Sequence, residues 1–369
     1  FTQRNLELFY PNHPEGVPLI QIIDQTQTAM GARLLRQWMA FPLKELKLIE
    51  ERQERVQDFL EETALLEHTE EALSKIIDIE RVMAKVATEK ISPRALNQLA
   101  DSLEVLENFK KVLMEGSAKH LKVELEKIPS PQEVLSLLKK TLHPEAPVVV
   151  SKGNVIAAGF SERLDELRSL RDTSQSHLDA MLERETERTQ IPSLKIAFNN
   201  VFGYYIEVRN THKDKVPEEW VRKQTLVNAE RYITEELKTF ETEILQAGER
   251  ILALEQELFA ALIKNLQKNL EVLKQNAAAV ARWDVLCGFA KMAQKNNYCC
   301  PTMTATTRLD IQGARHPVIE KQLPLGVPYI ANDLLLDREK QQIMMITGPN
   351  MSGKSALLRQ TALISLLAQ

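Results

Sequence analysis

The stretch that decides the fold is residues 233–273, which read ITEELKTFETEILQAGERILALEQELFAALIKNLQKNLEVL. Apolar residues recur along it at alternating spacings of four and three, the heptad pattern of a helix that packs against another helix. The pattern holds over about four repeats, and a helix reaching Leu273 would be roughly 60 Å long. The heptad positions are Ile233, Leu237, Phe240, Ile244, Ala247, Ile251, Leu254, Leu258 and Ala261.

A helix of that length needs a partner, and residues 161–189 supply one. This stretch begins with Ser161 as a predicted N-cap and carries apolar residues at compatible spacing. The order of the two helices along the chain predicts an antiparallel pair. The apolar positions of the partner are Leu164, Leu167, Leu178 and Met181.

Residues 28–142 also read as successive helices, with leucines three or four positions apart. One helix is predicted from Thr28 to a stop at Pro42, and another to begin with Ser92 as N-cap and Pro93 at the first helical position. The charges of this block are interpreted as a solvated surface around a leucine core. The predicted class is therefore mainly α.

A short segment of different texture lies between the two long helices. Leu194–Phe198 and Tyr204–Val208 are rich in β-branched and aromatic residues and predict a hairpin, and Thr225–Ala229 predicts another strand. The segment is modestly basic, which leaves two interpretations open, contact with phosphates or a plain solvated face. Its basic residues are Lys195, Arg209, Lys213, Lys215, Arg222 and Lys223.

Composition limits the possible classes. A chain of 369 residues with 44% hydrophobic residues exceeds one core, so roughly two or three structural units are expected. The formal net charge of -4 does not by itself indicate a nucleic-acid partner.

The three cysteines form neither a zinc spacing nor an even disulfide set, which favours a reducing compartment such as the cytoplasm. No stretch has the roughly 20 apolar residues of a membrane span. Phe1 is not an initiator, so the chain is expected to be an internal piece of a longer one.

The end of the chain carries a nucleotide-loop motif. Residues 348–355 fit GxxxxGK[ST], preceded by a predicted buried strand at Ile343–Ile346 and followed by a predicted helix. In such a loop glycines let the backbone wrap an anion, Lys354 contacts the β- and γ-phosphates, and Ser355 can bind Mg²⁺. Hydrolysis also needs an acidic strand end and a water-activating residue, which normally follow well after the loop, whereas only residues 356–369 follow here.

Several motifs resemble, in order, those of the MutS family of bacterial DNA mismatch-recognition ATPases. They are TQRNLELF, DQTQTAMGARLLRQWMAFPL, FNNVFGYYIEV, WVRKQTLVNAERYITEEL, GARHPVIE and TGPNMSGKSALLRQTALISLLAQ. The resemblance implies a helical core and lever at 1–157 and 232–295, a β-rich clamp at 158–231 inserted at the lever tip, and the first part of an α/β P-loop ATPase domain at 296–369. Ser352 and Ala356 replace the glycine and threonine of many relatives, but Lys354 and Ser355 remain.

The resemblance also implies site residues. Tyr329 matches an aromatic residue that stacks on adenine, with a core tyrosine in a strand as the alternative, and His316 is expected to be structural. Lys195, Arg222 and Lys223 are the candidates for contact with the DNA backbone. The expected ATP or ADP contacts are Gly348, Pro349, Asn350, Met351, Ser352, Gly353, Lys354 and Ser355, with Ser355 on Mg²⁺.

The implied partners are double-stranded DNA, mismatched or looped, a second copy of the protein, and a downstream repair factor of the MutL type. The implied location is the bacterial cytoplasm in association with the nucleoid, with no membrane. The longer protein would be a DNA-dependent ATPase that becomes a sliding clamp on binding ATP, whereas this chain is expected to hold nonspecific DNA contacts and an incomplete nucleotide pocket without turnover.

Three other interpretations compete with this one. Coiled-coil ATPases of the chromosome-organising or break-repair type place the loop near the N-terminus, whereas here it comes last. The MutS branch devoted to recombination or stalled ribosomes generally lacks a clamp, which disfavours it given the segment LKIAFNNVFGYYIEV. A scaffold without enzymatic activity remains a fair description of this chain alone.

Overall fold

The structure, a computed structural model, describes residues 2–199, 203–324, 326–349 and 353–369. This part is mainly helical with small antiparallel sheets, as predicted, and none of its helices combines the length and the apolar character needed to cross a membrane. The helices are α1 (Thr2–Asn5), α2 (Leu19–Ile23), α3 (Ala29–Ala40), α4 (Leu46–Glu61), α5 (Thr63–Ser74), α6 (Ile79–Ala87), α7 (Pro93–Glu115), α8 (Lys119–Leu125), α9 (Gln132–Thr141), α10 (Glu162–Thr189), α11 (Glu235–Lys268), α12 (Leu270–Asn296), α13 (Ile319–Gln322) and α14 (Lys354–Leu367). The strands are β1 (Lys195–Asn199), β2 (Gly203–Arg209), β3 (Val221–Thr225), β4 (Ala229–Ile233), β5 (Leu309–Ala314) and β6 (Asn332–Leu336).

The chain divides into two compact units. The first unit comprises Phe1–Ala87, Gln98–Leu135 and Lys268–Gln369, and the second comprises Thr88–Asn97 and Ser136–Gln267. The four-part division predicted from the sequence is finer than this one and stays a prediction.

Helix α12 is the centre of the first unit and packs against α3, α4, α5 and α6. Asp284 of α12 is hydrogen-bonded to the residues just before α3. Its carboxylate accepts hydrogen bonds from the Gln27 and Thr28 backbone N–H groups, both at 2.8 Å, and from Thr28 Oγ1 at 2.7 Å. The Thr28 hydroxyl in turn accepts from the Gly31 N–H at 2.9 Å and caps α3. A buried acid on one helix thereby fixes the start of another.

The predicted helix boundaries in this block are close to those observed. Helix α3 begins after Thr28 and ends at Ala40, before Pro42. Helix α7 begins at Pro93, and Ser92 Oγ accepts from the Ala95 N–H at 3.3 Å. Local capping chemistry was sufficient to place these boundaries.

In the second unit, α10 and α11 run antiparallel, as predicted. Arg168 of α10 pairs with Glu255 of α11 at 2.7 Å, and Arg184, farther along α10, pairs with Glu236, earlier in α11, at 2.6 Å. The prediction that the long helix continues to Leu273 was wrong, because α11 ends at Lys268 and α12 starts at Leu270. Asparagine at 269 suits such a break, since its side chain competes for backbone hydrogen bonds inside a helix.

The heptad prediction for α11 was correct from Leu237 to Ile251 only, and Ile233, its first predicted position, lies in strand β4. Leu237, Ala247 and Ile251 are buried, but beyond Ile251 the buried stripe moves one position along the chain. A straight helix has 3.6 residues per turn, so a strict 3.5-residue repeat drifts around its surface. The buried positions in the second half are Glu255, Phe259, Leu262, Ile263 and Leu266, whereas Ala261 is exposed.

The second unit also contains a four-stranded antiparallel sheet with strand order β1-β2-β4-β3. The predicted hairpin is present as β1 and β2, with Ile196 opposite Ile206. The prediction of a strand at Thr225–Ala229 was wrong, because these residues turn from β3 into β4. The Leu226 N–H donates to the Ala229 carbonyl at 2.8 Å, which closes the turn.

One side of this sheet packs against the two long helices. Ile206, Val208 and Tyr232 share a buried cluster with Leu178 of α10 and Leu237 of α11. The neighbouring side chains in the same cluster include Met181, Ile191, Leu194 and Trp220. Lys195, Glu207 and Arg231 lie on the opposite side of the sheet. Arg222 and Glu230 are paired with Tyr232 and Val208, so they lie at the margin of the packed side.

The last part of the chain holds the two-stranded β5–β6 sheet and helix α14. The prediction of a buried strand at Ile343–Ile346 was wrong: these residues have no strand pairing, and Ile343 and Met345 are 84% and 86% exposed. A strand requires a neighbour for its N–H and C=O groups, and the described strands β5 and β6 pair with each other instead.

Candidate nucleotide loop and nucleic-acid interface

The predicted nucleotide loop leads directly into α14. Gly353 adopts a left-handed conformation with φ of 83°, which glycine tolerates without strain, and the helix begins at the next residue. Lys354 Nζ donates a hydrogen bond back to the Gly348 carbonyl, so the ammonium group lies beside the first residue of the motif. The predicted contacts Asn350, Met351 and Ser352 lie outside the described residues.

The described end of the loop has the chemistry that an anion requires. The first backbone N–H groups of α14 have no acceptor within the helix, because the first helical bond runs from Leu357 N–H to the Gly353 carbonyl. Gly353 and Ser355 are exposed at the start of this helix. These donors, with the Lys354 ammonium, fit a nucleotide phosphate, and the Ser355 oxygen fits one position of a Mg²⁺ shell.

Tyr329 is tied to the same helix. Its hydroxyl donates to Gln360 Oε1 at 2.7 Å, and Gln360 is only 1% exposed. Tyr329 precedes β6 and is half-buried, so it is not a core tyrosine within a strand. Gln360 lies six residues after Lys354, about 9 Å along the helix axis. The sequence did not single out Gln360, because a glutamine in an amphipathic helix carries no motif.

His316 has a structural role, as the sequence predicted. The ring is 5% exposed, and its Nδ1 accepts from the Val318 and Ile319 backbone N–H groups, both at 3.2 Å. Burial, followed by the nearby Arg359 cation, lowers the pKa of His316. A neutral imidazole that holds a turn is therefore the stable form.

Helix α14 is also held along its length by residues of the first unit. Arg359 pairs with Glu7 at 3.1 Å, and Arg52 donates to the Gln369 carbonyl at 2.9 Å while its guanidinium stacks 3.6 Å from the Trp38 ring. Leu363 is buried in the core cluster that includes Leu19, Leu35 and Val285. These contacts fix the orientation of the helix that begins at the loop. They join residues far apart in the chain, so no sequence motif predicts them.

The three predicted DNA-contact residues are not brought together. Lys195 lies on edge strand β1, whereas Arg222 and Lys223 lie on the opposite edge strand β3. Three strand spacings of about 4.8 Å separate the two edges by roughly 14 Å. All three residues are exposed. The register shifts between Arg222 and Gln224, so Lys223 lies at an irregularity of the ladder.

Neighbouring acids partly neutralise this surface. Arg222 pairs with Glu230 at 3.3 Å. Arg231, which the sequence did not single out, pairs with Glu207 at 3.2 Å and lies 4.2 Å from the Tyr205 ring. No ion pair is seen for Lys195 or Lys223 in the described part of the chain, and these lysines are the more available cations of the predicted set.

Tyr232 and Glu230, on the inner strand β4, form a further interaction beside Arg222. The Tyr232 hydroxyl donates to Glu230, and the pKa of Tyr232 is raised to about 12 by burial and by this carboxylate. The same hydrogen bond, with Arg222 as a lesser cause, lowers the pKa of Glu230. Glu230 therefore remains an anion that holds Arg222 against the sheet.

Comparison with known proteins identifies the family. The profile described as MutS domain III matches residues 1–290, and that described as MutS domain V matches residues 344–369. Curated relatives named DNA mismatch repair protein MutS are 52% identical in Flavobacterium johnsoniae and in Christiangramia forsetii, and 51% identical in Parabacteroides distasonis. The matches cover the whole of this chain but 42% of each relative. This chain therefore belongs to the MutS family.

Proposed function

We propose that this chain combines a nucleotide-phosphate loop with a module that contacts the DNA backbone, and that both serve mismatch recognition in the longer protein. The observation that carries the proposal is the conformation of the loop end, where Lys354 folds back to the Gly348 carbonyl at the exposed start of α14. The relatives' printed name, DNA mismatch repair protein, supports the DNA part.

The nucleotide part assigns each group a role. Backbone N–H groups at the start of α14 bind the phosphates of ATP or ADP, and Lys354 exchanges its bond to Gly348 for the β- and γ-phosphates. Ser355 contributes one oxygen ligand to Mg²⁺, which when bound neutralises phosphate charge. Tyr329, oriented by Gln360, presents its ring to the adenine base. Residues 296–369 form the first part of the ATPase domain in this proposal.

In the DNA part of the proposal, the four-stranded sheet positions the duplex and does not read its sequence. Lys195 and Lys223 contact phosphates from opposite edges, and Arg222 contributes less because Glu230 already pairs with it. Contacts to phosphates carry no sequence information, so this module holds the duplex irrespective of a mismatch. Residues 158–231 act as a clamp between the helical core and lever segments 1–157 and 232–295.

We extend the proposal to the longer protein, with the activities that the family resemblance implies. The protein binds mismatched or looped DNA as a dimer, changes to a sliding clamp on binding ATP, and recruits a repair factor of the MutL type. Its location is the cytoplasm, in association with the nucleoid.

The DNA part is tested by fluorescence anisotropy with a matched and a G·T-mismatched duplex over a salt series. Changing Lys195, Arg222 and Lys223 together to alanine should weaken binding to both duplexes equally and lower the salt slope by about two to three units, since each phosphate contact contributes about 0.9. The control removes the same charge from exposed lysines of the first unit, Lys111, Lys119 and Lys127.

Two results would contradict the DNA part. Equal salt slopes for the sheet variant and the control variant would show that the sheet does not bind phosphates. A preference of this chain for the mismatched duplex would show that it reads the mismatch itself.

The nucleotide part is tested with a fluorescent ADP analogue and Mg²⁺. Lys354→Ala should abolish binding, Ser355→Ala should remove the Mg²⁺ dependence, and Lys340→Ala, an exposed lysine before the loop, should change neither. No ATP turnover is expected from the 369-residue chain. Turnover that disappears in Lys354→Ala would contradict that expectation, and binding unaffected by Lys354→Ala would contradict the site.

A further inference from the structure

The three cysteines of the chain differ sharply in accessibility. Cys287 is buried within α12, where its thiol contacts the Leu66 carbonyl at 3.9 Å and burial raises its pKa to about 12. Cys299 and Cys300 are adjacent in sequence, carry free thiols and are both exposed. Because the thiolate is the reactive form, accessible thiol chemistry is concentrated at this pair.

The chain immediately before the pair is firmly held. Asn297 ends α12 in a left-handed conformation, and the Tyr298 N–H donates to the Ala293 carbonyl at 3.0 Å. The Arg315 guanidinium donates to the Asn296 and Asn297 carbonyls at 2.9 and 3.1 Å. The pair therefore begins at a fixed point at the end of a long buried helix.

The chain after that point is free of regular structure. Residues 299–308 belong to neither helix nor strand, and all but Met303 are exposed. Neither cysteine belongs to a strand whose ladder would hold the two side chains apart. The two sulfur atoms can approach each other without disturbing a packed element.

The two thiols already influence each other. Partial burial, followed by repulsion from the Cys299 thiolate, raises the pKa of Cys300. Cys299 and Cys300 are adjacent and both exposed, so one ligand atom can reach both thiols from solvent.

We propose that Cys299 and Cys300 form a dithiol site for a trivalent arsenical. Two As–S bonds form, the two thiol protons leave with the oxide oxygen as water, and arsenic stays trivalent, so no oxidant is required. Arsenic keeps its organic substituent as its third bond and needs only two protein ligands.

The probe is phenylarsine oxide added to the reduced 369-residue chain, followed by intact-mass spectrometry. One adduct per chain is expected, and it should survive excess glutathione but be removed by 2,3-dimercaptopropanol, because only a dithiol can replace two sulfur ligands. Cys299→Ser and Cys300→Ser should each lose the glutathione-resistant adduct, and Cys287→Ser should retain it.

The outcomes separate clearly. The proposal is overturned if the wild-type chain forms no resistant adduct, if either single variant at the pair keeps it, or if Cys287→Ser abolishes it. Circular dichroism of the Cys299→Ser and Cys300→Ser variants should match the wild type, since both residues are exposed and lie outside the helices.

Discussion

Replacing Gly31 with alanine should destabilise the first unit strongly. A Cβ atom at this position would lie 2.2 Å from Asp284 Oδ2 and 2.7 Å from its Cγ, so the carboxylate must move by about 1 Å to reach normal contact. That carboxylate is 1% exposed and holds three hydrogen bonds from Gln27 and Thr28. It cannot move without losing at least one of them.

The magnitude follows from three effects. Overpacking at a buried site costs about 1–3 kcal/mol. Losing a hydrogen bond to a buried charge costs about 1.5–3 kcal/mol. Alanine recovers roughly 1 kcal/mol through its higher helix propensity. The expected loss in the free energy of unfolding is therefore about 1.5–5 kcal/mol, a large fraction of the stability of an ordinary domain.

The assay is urea unfolding followed by tryptophan fluorescence in a Trp220→Phe background. The remaining reporters, Trp38 and Trp283, both lie in the first unit. The matched control is Gly288→Ala in α12, where the nearest atom would be Gln25 Cβ at 3.4 Å, an ordinary contact. That variant should unfold within about 1 kcal/mol of the parent.

The reasoning is refuted if Gly31→Ala unfolds within about 0.5 kcal/mol of the parent, or if the Gly31 and Gly288 variants are equally stable. Either result would mean that the Asp284 carboxylate can relax around the added methyl group without losing a hydrogen bond, a larger freedom than close packing usually allows.

Three further predictions concern charged groups. Glu255→Ala should destabilise the second unit by about 3–5 kcal/mol, because Arg168 loses its buried partner. Urea unfolding followed by the fluorescence of Trp220 measures this loss, and a loss below about 1 kcal/mol would contradict the prediction. Hydrogen bonding to Arg33 lowers the pKa of Asp78. Arg33→Gln should therefore lower the free energy of unfolding above about pH 4, and this difference from the parent should fade as pH falls through the folded-state pKa of Asp78. A difference in the free energy of unfolding that stays constant down to about pH 2 would argue against this. His316 has a lowered pKa, so its contribution to stability should be present above about pH 6.5 and decline below it; an NMR titration assigned with His316→Asn checks this, and an ordinary midpoint near 6.5 would disprove it.

Local sequence features predicted much of the fold correctly. The cap at Thr28 and the proline at 93 marked helix starts because capping is an interaction between near neighbours in the chain. The β1–β2 hairpin was also predicted, because β-branched and aromatic composition is a local signal. The strand at Thr225–Ala229 was misplaced because its apolar residues lie in the turn between two strands rather than within one.

The strand before the nucleotide loop shows the limit of this approach. Ile343 and Met345 have the composition of a buried strand, yet both side chains are exposed. A strand is stabilised by a partner, and the partner is a property of the tertiary structure. The loop motif itself needs no partner to be recognised, since its glycines and its lysine are local.

The candidate site divides in the same way. Lys354 and Ser355 could be identified from the motif, but Gln360, which holds Tyr329, could not, because the two lie on different elements. The cations at the sheet edges were chosen by charge alone. Only the fold shows that Arg222 is already paired with Glu230.

The sequence by itself determined the mainly helical class, the antiparallel long helices and the family, since these depend on periodicity and short motifs. The tertiary structure decided which side chains are buried and with which partner. Glu255 appears in the sequence as one more charge on a long helix, but in the fold it is fully buried against Arg168. Straight helices have 3.6 residues per turn, so the buried stripe drifts off a heptad, and only the packed neighbour shows where it lies.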